Sequence, residues 1–379
     1  MKTAKTRDIG YAVEHIYQAT AVYIINKNDP TNEIDINETI MDVKNFNDVE
    51  LAGLAGCKSF VLSLYQLNFL DEAISLARKA TEGDRGNALW YYLLGHGLRK
   101  KRRNFVGCNT APCPFEIDCF SKAAKLDPHM FYQIYHMQAL HEVGMSNHIP
   151  KWERKKFAQE QWNKYKNIWQ NCDEPTILLK IALGMMRCRF DCDYNIIHSV
   201  LDKVDRLSKD NNVTYHYRGR LYRFQGDLEQ ACKYLQLAGN MYNWAADYGY
   251  VECMVDLKKP VVDIIMSLVK MKIKYKDNNP DEQLTTYLHL AIMYFIISDY
   301  KISAELFLQA IEMSPQSVKL RRPHWFSSIF MKNTFDFLRN ELLPKIDPIT
   351  EADGEIEYII EKLEGHCKIN SQQSMREVS

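Results

Sequence analysis

The sequence predicts an all-α fold, a right-handed superhelix (α-solenoid) of stacked helical hairpins with an irregular insertion and capping helices. Three observations carry that expectation. Small residues recur at the spacing where two helices touch; a large, large, small, large pattern returns one hairpin later in the same phase; and no alternating run is long enough to make a strand. The chain has 379 residues, too many for one ordinary core and suited to an elongated array. With 46% hydrophobic and 25% charged residues it has the composition of a folded chain rather than a disordered one.

Taken in order, residues 1–48 are expected to form an N-terminal capping helix and loop, with the helix near Asp8 to Ile25. The repeat array then spans 49–320. Its first hairpin is LAGLAGCKSFVLSLYQLNFLDEAISLARKA, in which Ala73, Ala77 and Ala80 are the small contact residues. Counting one repeat of about 34 residues onward from Leu54 reaches Ala88. There ALWYYLLGHGL sets Tyr91, Leu94, Gly95 and Leu98 in the large, large, small, large order. Its partner helix, FEIDCFSKAAKLDP, carries Phe120, Ala123, Leu126 and the terminating Pro128. It is delayed by the insertion RNFVGCNTAPCP, whose Gly107, Pro112 and Pro114 mark an irregular loop.

Further repeats read as YHYRGRLYRFQGDLEQACKYLQLAG, with Tyr215, Gly219, Tyr222, Ala231 and Ala238 in frame, and YLHLAIMYFIISDYKISAELFLQAIEMSP, with Tyr287, Ala291, Tyr294, Phe307, Ala310 and Pro315 in frame. Degenerate helices lie between them: FYQIYHMQALHEVG, KWERKKFAQEQWNKYKNIWQ, TILLKIALGMMRCRF and a hairpin around Ala245 to Lys274. Terminal repeats expose an apolar face unless covered, so residues 321–365 are expected to supply C-terminal capping helices, with 366–379 a disordered tail.

Lys plus Arg and Asp plus Glu both number 48, so no global field attracts nucleic acid or anionic lipid. The start MKTAKTRDIGYAVEH has no secretory apolar run and no later stretch is long enough to span a membrane. A cytoplasmic protein is the expectation, with its 10 cysteines as free thiols. The group Cys108, Cys113, Cys119 lacks the paired spacing of a structural zinc site, and Cys188 with Cys192 is a helical i, i+4 pair. No phosphate-binding glycine loop, nucleophile elbow or H-E-x-x-H pair is present, so neither catalysis nor a cofactor is expected.

The first helices of such repeats line a concave wall, with positions 5, 9, 12 and 13 pointing inward. Those positions are Lys58, Leu62, Tyr65 and Gln66; Tyr92, His96, Arg99 and Lys100; His216, Arg220, Arg223 and Phe224; and Leu288, Ile292, Phe295 and Ile296. The expected groove passes from cationic and aromatic to apolar. Arg and Lys hold phosphate or carboxylate, aromatic rings stack on bases or pack on peptide, and the apolar end suits an amphipathic helix. The bland reading of Arg99 to Arg103 is a solvated helix end favoured by the macrodipole; nuclear import is a further reading of that run. The trio Arg218, Arg220 and Arg223 is more often a solvated face than a site, although Arg220 and Arg223 share a side, and Trp152, Trp162 and Trp169 read most simply as core packing. On the groove reading, Arg99, Lys100, Arg220 and Arg223 are dispensable for folding.

ALWYYLLGHGL and YRGRLYRFQGDLEQA resemble the tetratricopeptide repeat superfamily, and the resemblance covers about residues 49 to 315. Within it, the long insertion before a helix ending in KLDP, the irregular repeat spacing and the segment NNVTYHYRGRLYR are similar to the interferon-induced proteins with tetratricopeptide repeats. That resemblance implies RNA ends held in a positively charged channel, here by Arg99, Lys100, Arg220 and Arg223, although no RNA contact of that family is matched residue by residue. The chaperone carboxylate clamp needs Lys then Asn at positions 5 and 9; here they are Lys58 and Leu62. The sequence therefore reads as an adaptor that binds a protein or peptide in its groove, with RNA binding as the alternative.

Overall fold

The computed structural model describes residues 14–18, 43–64, 69–105, 110–146, 149–188, 193–346 and 354–376, with side chains to residue 370. Residues 14–18 are helical; the rest of the expected Asp8 to Ile25 helix lies outside the described residues. The chain divides into two compact units, Met1–Asp193 and Tyr194–Ser379.

The first unit is built from hairpins. Helices α1 (Asp48–Leu64) and α2 (Leu70–Gly83) form the first. Asn47 starts α1 because its Oδ1 accepts from Val49 and Glu50 N–H while Glu50 reaches back to the Asn47 N–H at 2.8 Å, a reciprocal cap. The predicted Ala73, Ala77 and Ala80 are buried on the face that meets α1, where the Ser59 hydroxyl donates to the Ala73 carbonyl at 2.7 Å. Helices α3 (Ala88–Phe105) and α4 (Pro114–Leu126) follow, the small Gly95 letting the Phe120 ring approach. Then come α5 (Met130–Gly144), α6 (Lys151–Ile168) and α7 (Pro175–Cys188). Gly144 lies under Phe157 and Gly184 under the fully buried Tyr165. Of the three tryptophans expected in the core, Trp162 is buried and Trp169 half-buried, but Trp152 is exposed in the first turn of α6.

The second unit contains α8 (Tyr194–Leu207), then the hairpins α9 (Asn212–Gln225) with α10 (Leu228–Asn240), α11 (Trp244–Asp256) with α12 (Val261–Lys274), and α13 (Pro280–Ile296) with α14 (Tyr300–Met313). The turn at Gln225-Gly226-Asp227 behaves as the sequence suggests. Gly226 takes φ +84°, a left-handed conformation that glycine adopts without a Cβ penalty, and the Asp227 carboxylate caps α10 by accepting from Gln230 N–H.

Beyond α14 the expectation of purely helical capping needs correction. After the short helix α15 (Val318–Arg321), strands β1 (His324–Phe326) and β2 (Ile329–Met331) pair antiparallel with Trp325 opposite Phe330. Three residues per strand are too few for alternation to stand out in sequence. The hairpin is held by His324, whose Nε2 lies 2.5 Å from that of the buried His289 on α13, while Phe326 stacks on the His289 ring at 3.8 Å. The segments α16 (Thr334–Phe337), a π-turn Leu338–Leu342 and α17 (Leu343–Ile346) follow, then α18 (Gly354–Arg376). The expected disorder after Gly365 is not what is seen: α18 continues through Arg376, burying Ile356, Leu363 and Cys367 along one stripe. That stripe anchors the last helix and explains its length.

Gly56 of α1 lies under the buried Trp90 of α3, and a Cβ built there would come within 2.2 Å of the indole. Gly56→Ala is expected to lower stability by roughly 1–3 kcal/mol, because overpacking outweighs the ~1 kcal/mol gain in helix propensity. A thermal melt by circular dichroism checks it, with Gly354→Ala, which meets open space, as the control.

Candidate functional site

The basic run at the end of α3 is not simply a solvated helix end, because two of its five cations are buried. Arg99 is 4% exposed, and its guanidinium lies 4.5 Å over the Phe120 ring and donates to the Tyr135 carbonyl at 3.3 Å. Arg102 is also buried and grips Glu116 of α4 with two bonds, at 2.9 and 3.0 Å, while donating to the Thr110 carbonyl at 2.6 Å. Arg102 and Arg103 both pair with Glu142 of α5. Lys101 turns outward to Asp71. A guanidinium taken out of water is costly unless paired with good geometry, which the two glutamates provide. Three guanidiniums against two carboxylates leave one positive charge in excess. With Arg99 and Arg102 buried, the run is not available as an exposed import signal. Arg99 is also a structural residue, contrary to the expectation that it is dispensable.

Beside this cluster α3 and α5 bring aromatic rings together. Tyr92 makes edge contacts with Phe131 at 4.9 Å, Tyr132 at 6.1 Å and Tyr135 at 4.8 Å, and lies 5.7 Å from the His96 ring. From α7, Lys180 donates to the Tyr135 hydroxyl at 2.8 Å and sits 4.7 Å over its ring. Lys100 donates to the Ser63 carbonyl at 2.9 Å. His96, half-buried, registers the field: burial, then Arg99, Lys100, Lys180 and Arg103, push its pKa down to about 4. Burial and these cations together keep it neutral near pH 7. The arrangement sets four cations, Arg99, Lys100, Lys180 and Arg103, around a group of rings in which Tyr135 is buried and Tyr92 and Tyr132 are half-buried.

The other predicted groove residues are differently placed. Lys58 is exposed and meets Glu72 at 3.6 Å; Tyr65 and Gln66 lie outside the described residues. In the second unit Arg223 is held by Glu252 and by Asp256 at 2.8 Å, and Arg218 by Asp202 and Asp205, each at 2.6 Å. Neither is an open cation. Arg220 is half-buried, 5.9 Å from the exposed Phe224 ring, and burial with Arg220 pushes the His216 pKa down to about 4.

The apolar set departs furthest from expectation. Leu288, Ile292 and Phe295 are buried core residues and Ile296 packs against the same core. Phe337 touches the Phe295 ring at 4.9 Å, and the Lys345 ammonium lies 4.3 Å over it. The C-terminal segment thus covers the surface that the repeat frame assigns to a ligand.

Cys57, Cys113, Cys119, Cys172, Cys188, Cys232, Cys253 and Cys367 are free thiols; Cys108 and Cys192 lie outside the described residues. Burial pushes the Cys119 thiol up to about 12, making it inert near neutrality. Among the described residues no group of three or more His, Cys, Asp or Glu is arranged to hold a metal, and no helix is long and apolar enough to cross a membrane. A cavity of about 320 Å³ opens between α10, α11 and α12, but Asp247 on its wall is already engaged by Lys274 and the Tyr275 hydroxyl, both at 2.7 Å.

Comparison with solved structures places this architecture. The human IFIT1 dimer with PPP-AAAA superposes with a TM-score of 0.55 over 96% of this chain and 78% of that one, at 12% identity. The fold is of the tetratricopeptide type, similar to that of human IFIT1. The same protein with m7Gppp-AAAA gives a TM-score of 0.56 over 96% and 77% of the two chains, also at 12% identity. A tetratricopeptide repeat protein from Parabacteroides merdae gives 0.45, at 14% identity over 70% of this chain and 94% of that one. No protein-family model and no curated protein matches the sequence.

The residues missed by sequence reading are Glu116, Glu142, Tyr132, Tyr135 and Lys180. The signal for the tyrosines was present in FYQIYHM, where Phe131 and Tyr135 share a face at i, i+4 spacing, but that helix lacks the repeat's small residues in order. The glutamates sit on helices read only for their apolar positions.

Glu142→Gln removes one of two carboxylates shared by three guanidiniums and is expected to cost roughly 3–5 kcal/mol in denaturant unfolding. Burial raises the Glu142 pKa, but Arg99, Arg103 and Arg102 outweigh it and hold the carboxyl below its usual range. The unfolded chain therefore takes up the proton first on acidification. The stabilisation is fully present above the ordinary value of about 4.3 and is lost as pH falls through the lower folded value. Unfolding measured between pH 6 and 2 should lose that part of its acid dependence in Glu142→Gln, to the extent that the variant remains folded.

Proposed function

We propose that this chain is a binding scaffold of the tetratricopeptide type that holds single-stranded RNA at the cradle formed by α3, α5 and α7. The observation that carries the reading is the gathering of Arg99, Arg103, Lys100 and Lys180 around Tyr92, Tyr132 and Tyr135. Phosphate neutralises the excess charge and a base stacks on the half-buried Tyr132, a pairing of chemistries that a peptide carboxylate supplies only in part. Support also comes from the fold, since the IFIT1 structures it resembles contain PPP-AAAA and m7Gppp-AAAA. The apolar stretch that favoured a peptide partner is core, which leaves the cradle as the better-supported surface.

Arg99 is unsuitable as a probe, because its loss perturbs the buried cluster. Lys180→Gln and Tyr132→Ala leave that cluster intact. Fluorescence anisotropy with a 5′-triphosphate A-rich oligonucleotide is expected to give binding that weakens steeply with salt. Lys180→Gln should lower the slope of log affinity against log salt by about 0.7, and Tyr132→Ala should weaken binding by about 1–3 kcal/mol. Salt-insensitive binding, or tighter binding to an acidic peptide of equal charge than to the oligonucleotide, would remove the RNA reading.

A further inference from the structure

The α12 helix carries two apolar faces. Ile264, Ile265, Leu268 and Met271 point into the second unit's core. On the opposite side Val262, Met266 and Ile273 are 61%, 52% and 66% exposed, with Val269 half-buried between them. Their spacing of four, three and four residues is a heptad seam rather than scattered surface residues. Single exposed apolar side chains need no explanation, but a continuous stripe along a helix marks a contact surface. The charges beside the seam indicate what covers it. Asp263 and Lys270, both exposed, lie along one edge, seven residues apart.

We infer that α12 pairs with the α12 of a second copy of this chain, antiparallel across a two-fold axis. In that register Met266 packs against Val269 of the other copy and Val262 against Ile273. Asp263 then faces Lys270 of the other copy, and Lys270 faces its Asp263. One arrangement thus buries the whole seam and makes two reciprocal ion pairs, with the helix dipoles opposed. A helix from another protein would match only by carrying the same acid and base at the same spacing and running in the opposite direction. The exposed Lys259 and Lys276, outside the helix ends, fall near each other across the axis and confine the contact to four layers. A seam this short covers less than the ~1,200 Å² of a stable interface, so the dimer is weak and concentration-dependent.

Sedimentation equilibrium of the full chain from micromolar to near-millimolar concentration tests this. The expected result is a reversible monomer–dimer equilibrium that Ile273→Glu weakens at least tenfold with helix content unchanged. Asp263→Lys and Lys270→Asp should each weaken it several-fold, and the double variant should recover most of the loss, since the exchanged charges again face each other. A monomer at every concentration overturns the proposal, as does a dimer indifferent to Ile273→Glu. Failure of the double variant to recover overturns the antiparallel arrangement. Retention of Ile273-dependent binding to a different protein with no self-association assigns the seam to another partner.

Discussion

Helix stacking in this protein depends on large side chains seated over glycines. Trp90 covers Gly56, Phe120 covers Gly95, Phe157 covers Gly144, Tyr165 covers Gly184 and Leu235 covers Gly219, each so closely that a methyl group would clash or crowd. Removing the Cβ lets backbones approach and lets the ring or branched chain fill the space, so that one contact sets both the separation of two helices and their axial register.

The same close approach turns the basic end of α3 inward. Once Phe120 is seated over Gly95, Arg99 lies over its ring, and Arg99 and Arg102 face Glu116 on α4 and Glu142 on α5. Desolvation then requires that these charges be satisfied within the protein. The imbalance of three guanidiniums to two carboxylates, with Lys100 and Lys180 close by, produces the positive field at His96. A structural ion cluster and a candidate anion cradle are therefore one construction, the first supplying the field used by the second.

The repeat frame was legible where apolar and small residues alternate in strict order. Ala73, Ala77, Ala80, Gly95, Gly219 and the Gly226 turn occupy the roles their spacing suggests, because each role is decided by local sterics. Side-chain availability was not legible in the same way. Position 5 or 9 of a repeat states which way a Cβ points, not whether another segment lies on top of it. Leu288 and Phe295 are core, and Phe337 and Lys345 reach the Phe295 ring from about 40 to 50 residues away. Arg223 likewise meets Glu252 and Asp256 from the next hairpin. The short β-hairpin escaped notice because three-residue strands have no measurable periodicity.

What the sequence by itself determined is the all-α repeat fold and its hairpin turns. These follow from backbone sterics and from 3.6-residue periodicity, which act within one or two turns of chain. Only the tertiary structure decided which inward residues are core, which cations are matched by acids, and where unmatched charge gathers beside tyrosines. Those outcomes depend on partners distant in sequence, and pairing or burial of a charge is a property of the pair rather than of either residue.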